Sequence, residues 1–282
     1  MLYHEPAYAA IDHLVKRIPI KAGEQMQPSS YNVRQYRDLT MMNLPDGSIL
    51  VIACDSLGGI GPKSQDTFTV PGYIVGRFAA RVPLMEVMAT GAKPQILVNT
   101  LSVEMSPTGQ EILRGIRGEI LAASLDIPII SGSTEENVQT CQTGVGITVI
   151  GLLANQEAFR AGPASKGNLV ICVGKPKVGD EVHLEDNEIA NLSLLQDILQ
   201  LTYVTDILPV GSKGIAHEAN LMAQTAGLAL RLSETGPFSA CSQNLTKSAG
   251  PATCLLCSLP PDYLAHFRKH VQSPVTVIGC LG

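Results

Sequence analysis

The chain has 282 residues, of which 45% are apolar but only 4% aromatic, and it contains no Trp. This length accommodates two domains of ordinary size, and the composition predicts aliphatic cores. A net charge of −5 and a pI near 5.7 argue against a protein that binds nucleic acid or another polyanion.

The sequence carries no pattern typical of secretion or membrane insertion. Charges are scattered through residues 1–19 without an apolar h-region, so we expect no signal peptide. No uncharged apolar run reaches the ~18 residues that a membrane-spanning helix needs. Seven cysteines without framework spacing fit reduced thiols, so we expect a cytoplasmic protein.

The first strong structural signal is a β-hairpin. Strand-like residues 38–44 and 48–53 flank Pro45-Asp46-Gly47, which has the composition of a tight turn. Antiparallel pairing about this turn predicts that Asp38 and Asp55 lie at the same edge of a sheet. The segment before it is less regular: a short helix is expected over 9–17 and a loop over 22–32.

A glycine-rich loop follows the second strand of this hairpin. It begins at Asp55, contains Gly59 and Gly61, and ends at Lys63. Glycines at the end of a buried strand allow backbone N–H groups to approach a phosphate, while a carboxylate holds Mg²⁺ and an ammonium meets phosphate oxygens. An ordinary glycine-rich turn with two solvated charges is an equally good interpretation of this stretch alone.

The next segment, 70–91, has the apolar periodicity of a helix. Pro83 cannot donate its helical hydrogen bond, so we expect a kink or the start of a second helix there. Glu86 falls at the border of the apolar stripe, where a carboxylate is partly buried.

The remaining chain alternates strands and helices. Strands are expected over 96–104, 128–131 and 144–153, and a helix over 108–125; this gives an N-terminal α+β domain of residues 1–154. Residues 155–167 change composition and predict a linker. In the C-terminal domain, 168–282, strands are expected over 169–174, 205–210, 253–259 and 275–280, with helices over 188–201, 211–227 and 261–270.

Two further loops carry candidate binding groups. Gly132-Ser133-Thr134-Glu135 follows a short buried strand, and Lys213 lies in a glycine-led helix start whose N–H groups favour an anion. Taken singly, each loop is as well explained by solvated side chains or an ordinary helix start. His217-Glu218 lacks the second histidine of a zinc protease motif.

The order of these motifs resembles the AIR-synthase-related (PurM-like) superfamily of ATP-using enzymes, from about residue 36 to the end. YRDLT, ACDSLGGIGPK and VGRFAARVPLMEVMATGAKP are similar to its successive N-terminal motifs. SGSTEEN followed by QTGVGITVIG is similar to its next loop and strand. GSKGIAHEANLMAQTAGL resembles its Ser-Asp-Gly helix.

The resemblance implies a two-domain fold with an N-terminal mixed sheet that pairs across a homodimer and a C-terminal α/β domain. It implies ATP and Mg²⁺ as cofactors, with Asp55 and Lys63 as the catalytic residues. The implied metal ligands are Asp38, Asp55, Glu86 and Glu135. The implied ATP-binding residues are Asp38, Asp55, Gly59, Gly61, Lys63, Glu86, Gly132, Ser133, Thr134 and Lys213.

Departures from the family pattern narrow the expected activity. Ser133 replaces a family acid, so either Glu135 or Glu136 serves instead or one metal contact is absent. Lys213 replaces the Asp of Ser-Asp-Gly, and residues 249–252 replace a Gly-Gly-Glu-Asp loop; both places contact the acceptor in thiamine-monophosphate kinase. The GSTEEN and QTGVG segments most resemble the α-ribazole kinase branch.

The main hypothesis is therefore an ATP-dependent kinase that phosphorylates the 5′-hydroxyl of α-ribazole, a nucleoside-like molecule of cobalamin lower-ligand salvage. One alternative is an ATP-dependent enzyme that acts on another substrate and is similar to thiamine-monophosphate kinase or aminoimidazole-ribonucleotide synthase. The other alternative is a relative that binds ATP or a metabolite without catalysis.

Overall fold

The computed structural model describes residues 32–160, 162, 164–233 and 244–282. The helix and loop expected before residue 32 lie outside these residues. The described chain forms a mixed α+β structure with two separate main sheets, one built from each half of the sequence.

The first half forms a six-stranded sheet with two helices on one face. Its elements are β1 (Asn32–Tyr36), β2 (Leu39–Asn43), β3 (Ile49–Gly58), β4 (Ile60–Gly61), β5 (Phe68–Thr69), α1 (Gly72–Ala89), β6 (Lys93–Leu101), α2 (Gln110–Ala122), β7 (Ile129–Thr134) and β8 (Gly144–Leu153). The strand order is β1-β2-β3-β8-β6-β7, and only the β6–β7 pair is parallel. Strands β4 and β5 form a separate parallel pair.

The predicted hairpin is confirmed, since β2 pairs with β3 around Pro45-Asp46-Gly47. Of the two alternatives at Pro83, the start of a second helix is wrong, because α1 runs through this residue as one helix, and the kink stays a prediction. A proline inside a helix costs about 3 kcal/mol. Burial of most of α1, including Pro83, outweighs this cost.

The two faces of the first sheet differ in burial. Val51, Val149 and Leu97 are fully buried on the inner face, beneath the helices. The outer face is also apolar but is covered by no element of the described chain: its residues include Leu50, Ile52, Ile96, Ile129, Ile150 and Leu152. Ile129 is 51% exposed.

The second half forms a five-stranded sheet that is antiparallel throughout. Its elements are β9 (Leu169–Gly174), α3 (Leu192–Leu199), β10 (Asp206–Pro209), α4 (Gly214–Thr225), β11 (Leu230–Leu232), β12 (Cys254–Leu259), α5 (Leu264–His270) and β13 (Val275–Leu281). The strand order is β10-β12-β9-β13-β11. The first-half helix α1 packs against β10 and α3 of this half.

One apolar core runs from the first sheet into the second, and it includes Val149, Leu97, Ile171 and Leu255. The two halves therefore pack together closely, and the domain limits and linker read from the sequence stay a prediction. None of the helices in the described residues is long and apolar enough to cross a membrane.

Candidate functional site

Three of the predicted carboxylates converge beside the first sheet. Asp38 lies in the β1–β2 turn, Asp55 near the end of β3, and Glu86 on α1. The pairing of β2 with β3 brings the turn level with the end of β3. Burial, followed by the charges of Asp55, Asp38 and Glu218, raises the pKa of Glu86 to about 8. Burial also raises the pKa of Asp55.

A fourth carboxylate, Glu218, comes from α4 in the second half. Its residue is only 6% exposed, and it lines a small recess together with Asp38 and Glu86. Burial and the charge of Asp38 raise its pKa to about 7, against opposing effects of Lys213 and Arg37. We refer to Asp38, Asp55, Glu86 and Glu218 as the acid cluster.

Glu218 was not predicted as a site residue, although the sequence holds a signal for it. It lies on the same helical stripe as the buried residues Ile215, Ala219 and Met222. An acid inside an apolar stripe is buried when the helix packs, and buried acids are uncommon unless they serve a purpose. The His217-Glu218 pair was interpreted only as an incomplete zinc motif, so the burial of Glu218 was not predicted.

Arg37 fixes the backbone next to Asp38. Its φ is +53°, in the left-handed region that residues other than glycine rarely adopt. Its guanidinium donates to both carboxylate oxygens of Asp206, at 3.1 and 2.6 Å, and to Thr225 Oγ1 at 2.9 Å. The Arg37 and Asp206 side chains are 3% and 0% exposed. This buried pair ties the Asp38 turn to the second half of the chain.

The glycine loop is held in place by hydrogen bonds. Asp66 accepts from the Lys63 amide at 2.8 Å and from both the amide and the hydroxyl of Thr143 at 2.7 Å. Gly61 has φ +155°, and a Cβ there would lie 2.3 Å from Thr143 Oγ1. Glycine is thus required at this position, and the loop is preformed.

Lys63 points its ammonium at Glu104, which follows β6. Burial alone would raise the pKa of Glu104, but hydrogen bonds from Lys63 and Thr108 lower it to about 2. Glu104 therefore stays ionised and anchors the Lys63 side chain.

Gly132, Ser133 and Thr134 are not in a loop after a buried strand, as predicted, because parallel pairing with β6 continues through Thr134 and makes them part of β7. The residues of β7 are exposed or half-buried. The loop begins at Glu135 and has its own internal contacts. The Glu135 carboxylate accepts from the amides of Asn137 and Val138, which lowers its pKa. Thr134 donates to Glu136, as does the amide of Met105. Gly132 packs so closely on Asn99 that a Cβ would meet its carbonyl oxygen at 2.2 Å.

This loop is set apart from the acid cluster. Strand β7 lies three strand spacings, or roughly 14 Å, from β3. That is far beyond the ~2.1 Å ligand distance of one Mg²⁺. The structure therefore does not bring Glu135 together with Asp55, and its metal role stays a prediction, as do the ATP roles of Gly132, Ser133 and Thr134.

The carboxylates alone do not form a closed metal site. Across the described ranges, no three His, Cys, Asp or Glu side chains are close enough to hold a metal ion by themselves. Mg²⁺ usually keeps several waters and uses one or two carboxylates with substrate phosphates. Burial first, and the neighbouring carboxylates second, raise the pKa values of Glu86 and Glu218, and a bound cation would favour the ionised form of both groups.

A cavity of about 590 Å³ opens beside the acid cluster, between the two halves of the chain. Asp55 lies in its wall, and α1 contributes Ile74 and Phe78. Its second-half wall comes from residues 178–180, 182–183, 211–212 and 250–252. Its volume is in the usual range for small-molecule sites.

Comparison with known proteins identifies the fold. Residues 36–153 match the family model described as AIR synthase related protein, N-terminal domain. Thiamine monophosphate kinase from Aquifex aeolicus aligns with 99% of this chain and 95% of its own, at a TM-score of 0.58 and 18% identity. The chain has the AIR-synthase-related fold.

Two further relatives extend the comparison. The hydrogenase maturation protein HypE, in a structure in complex with ATP, covers 82% of this chain and 76% of its own, at a TM-score of 0.60 and 14% identity. Among curated proteins, the uncharacterised MJ0799 of Methanocaldococcus jannaschii is 29% identical over 96 residues. That match spans 34% of this chain and 31% of MJ0799.

Within the AIR-synthase-related fold, the acid cluster and the glycine loop lie on one side of the first sheet, and Lys213 acts on the cluster through Glu218. The structure thus joins Asp38, Asp55 and Glu86 into one group. It also pairs the Lys63 ammonium with the Glu104 carboxylate.

Proposed function

We propose that this protein is a Mg-ATP-dependent kinase of a small molecule. The observation that carries the proposal is the acid cluster, in which carboxylates from separate elements crowd together and one of them, Asp55, lies in the wall of a ligand-sized cavity. Structural neighbours include a thiamine monophosphate kinase and an ATP complex of HypE, which agree with an ATP-using fold.

In this proposal, Asp38, Asp55 and Glu86, with Glu218, hold Mg²⁺, which when bound neutralises charge on the triphosphate. Lys63 and the amides of the glycine loop stabilise the negative charge of the transferred phosphoryl group. Phosphoryl transfer depends chiefly on positioning and electrostatic stabilisation, so no covalent nucleophile is needed. Glu104 and Asp66 keep Lys63 and its loop in position.

The acceptor that we propose is α-ribazole, phosphorylated on its 5′-hydroxyl. Its hydroxyl oxygen bonds to the γ-phosphorus, the bond from that phosphorus to the bridging oxygen breaks, ADP leaves, and the hydroxyl proton is released to solvent. The apolar cavity beside Asp55 suits the benzimidazole ring.

The direct test is an assay of ATP consumption and product formation with α-ribazole, thiamine monophosphate and formylglycinamidine ribonucleotide. We expect phosphorylated α-ribazole and ADP in equal amounts. Absence of product at millimolar α-ribazole refutes this acceptor. ATP turnover with an amidine substrate would favour the synthase-like alternative, and nucleotide binding without turnover on any substrate would favour the non-catalytic one.

We also propose a homodimer joined through the outer face of the first sheet, in keeping with the apolar character of that face. Leu152 is 37% exposed there. Leu152→Lys should convert the dimer to a monomer in light scattering, whereas Leu121→Lys, at a 78% exposed position on α2, should not. A monomeric wild type would contradict the dimer.

The cytoplasmic location expected from the cysteines remains a proposal.

A further inference from the structure

The cavity beside the acid cluster differs in character from the cluster itself. Apart from Asp55 and Ser56, its first-half wall is formed by apolar residues and glycine, including Phe68, Ile74, Phe78 and Val82. In the described part of the chain, no Lys or Arg lines it, and its ionisable lining groups are Asp55, Asp180 and His183.

The cations that lie near its second-half rim are already paired. Lys247 comes three residues before the lining residue Gly250, and it donates to both carboxylate oxygens of Glu181, at 2.7 and 2.6 Å. Lys177 precedes the lining residue Val178, and its ammonium is bonded to Asp186 and Glu188 at 2.6 and 2.8 Å.

Two further cations of the described chain are near the lining residues in sequence. Lys213 is adjacent to one of them, and its charge lowers the pKa of Glu218 in the acid cluster. Lys63 comes three residues after the lining residue Ile60, and its ammonium is bonded to Glu104. Both belong to the proposed nucleotide site, so the wall of the cavity itself offers an acceptor little positive charge.

We infer that this cavity is an acceptor pocket selective for molecules that carry an apolar ring and no phosphate group, with Glu181 as a specificity-determining residue that withholds Lys247. The inference rests on the proposed function, since it names the acceptor class of the same site. A phosphate group that enters this cavity loses its hydration without forming an ion pair with a cation, and it meets the carboxylates of Asp55 and Asp180. An apolar ring gains from burial, at about 25 cal/mol per Å².

The test measures binding by calorimetry in the absence of nucleotide. Two matched pairs of ligands are used, α-ribazole with its 5′-phosphate and thiamine with thiamine monophosphate, so only the phosphate differs within a pair. We expect the Kd of each phosphorylated ligand to be at least about tenfold higher than that of its unphosphorylated parent, a difference of ~1.4 kcal/mol.

Two variants locate the effect. Glu181→Gln releases Lys247 and should reduce the ratio of the two Kd values within each ligand pair at least threefold. Glu111→Gln, which breaks the exposed Glu111–Arg114 pair on α2, should leave this ratio unchanged. Val178→Trp, at a 43% exposed position on the rim, should block α-ribazole binding. Val138→Trp, 66% exposed and outside the cavity, is its control.

The inference is wrong if either phosphate binds as tightly as its parent, if neither member of either pair binds, or if Glu181→Gln leaves the ratios unchanged. These outcomes are separate from those of the kinase assay. Selective binding without ATP turnover would refute the kinase proposal and support the selectivity of the pocket. Turnover of a phosphorylated acceptor would support the kinase proposal and refute the selectivity of the pocket.

Discussion

Glu86→Gln should make the folded protein more stable at neutral pH. The pKa of Glu86 is raised from 4.5 to about 8 in the folded state. Between these values the folded state holds more protons than the unfolded chain, so the free energy of unfolding falls as the pH rises through this window. At about 1.4 kcal/mol per pKa unit, this loss is roughly 2.5 kcal/mol between pH 5 and pH 7.

A glutamine at this position stays neutral and does not incur this loss. In Mg²⁺-free buffer, we expect the Tm of Glu86→Gln to exceed that of the wild type by roughly 4 °C more at pH 7 than at pH 5. The measurement is thermal unfolding followed by circular dichroism at both pH values. Glu157→Gln, at an exposed position after β8, should show no such difference. Equal shifts at both pH values, or a lower Tm of Glu86→Gln at pH 7, would refute the reasoning.

Three further substitutions test how the site is held. Arg37→Ala leaves Asp206 buried and unpaired, so unfolding in urea should show a loss of about 3–5 kcal/mol; a loss below about 1 kcal/mol contradicts the role of this pair. Lys63→Ala should raise the Kd for Mg-ATP at least about tenfold by calorimetry, or ~1.4 kcal/mol, and an unchanged Kd would remove Lys63 from the phosphate site. Glu218→Gln should raise the Mg²⁺ concentration needed for half-maximal ATP binding severalfold, and an unchanged requirement would place Glu218 outside the metal site.

Local patterns were sufficient for much of the first half of the chain. The turn residues Pro45-Asp46-Gly47 set the hairpin register, so the shared edge of Asp38 and Asp55 followed from the sequence. Strands β8 and β9 have the predicted limits, because continuous apolar runs end at charged or glycine-rich segments. Strand β1 was missed, since its residues are exposed or half-buried and form no apolar run.

The rest depended on contacts between distant parts of the sequence. Arg37 and Asp206 are 169 residues apart, and no local pattern links them. Glu218 joins the cluster only because α4 packs beside the Asp38 turn, and the cavity exists only where the two halves meet. The placement of Lys63 on Glu104 likewise follows from the path of the loop across β8 towards β6.

The central claim is that the acid cluster binds Mg-ATP. Titration of the wild type and Asp55→Asn with ATP, in Mg²⁺ and in EDTA, tests this claim most directly. We predict that the wild type binds ATP only with Mg²⁺ and that Asp55→Asn weakens this binding at least about tenfold, or ~1.4 kcal/mol. Asp262→Asn, at an exposed position before α5, should bind like the wild type. Equally tight binding in EDTA, or by Asp55→Asn in Mg²⁺, would contradict the claim.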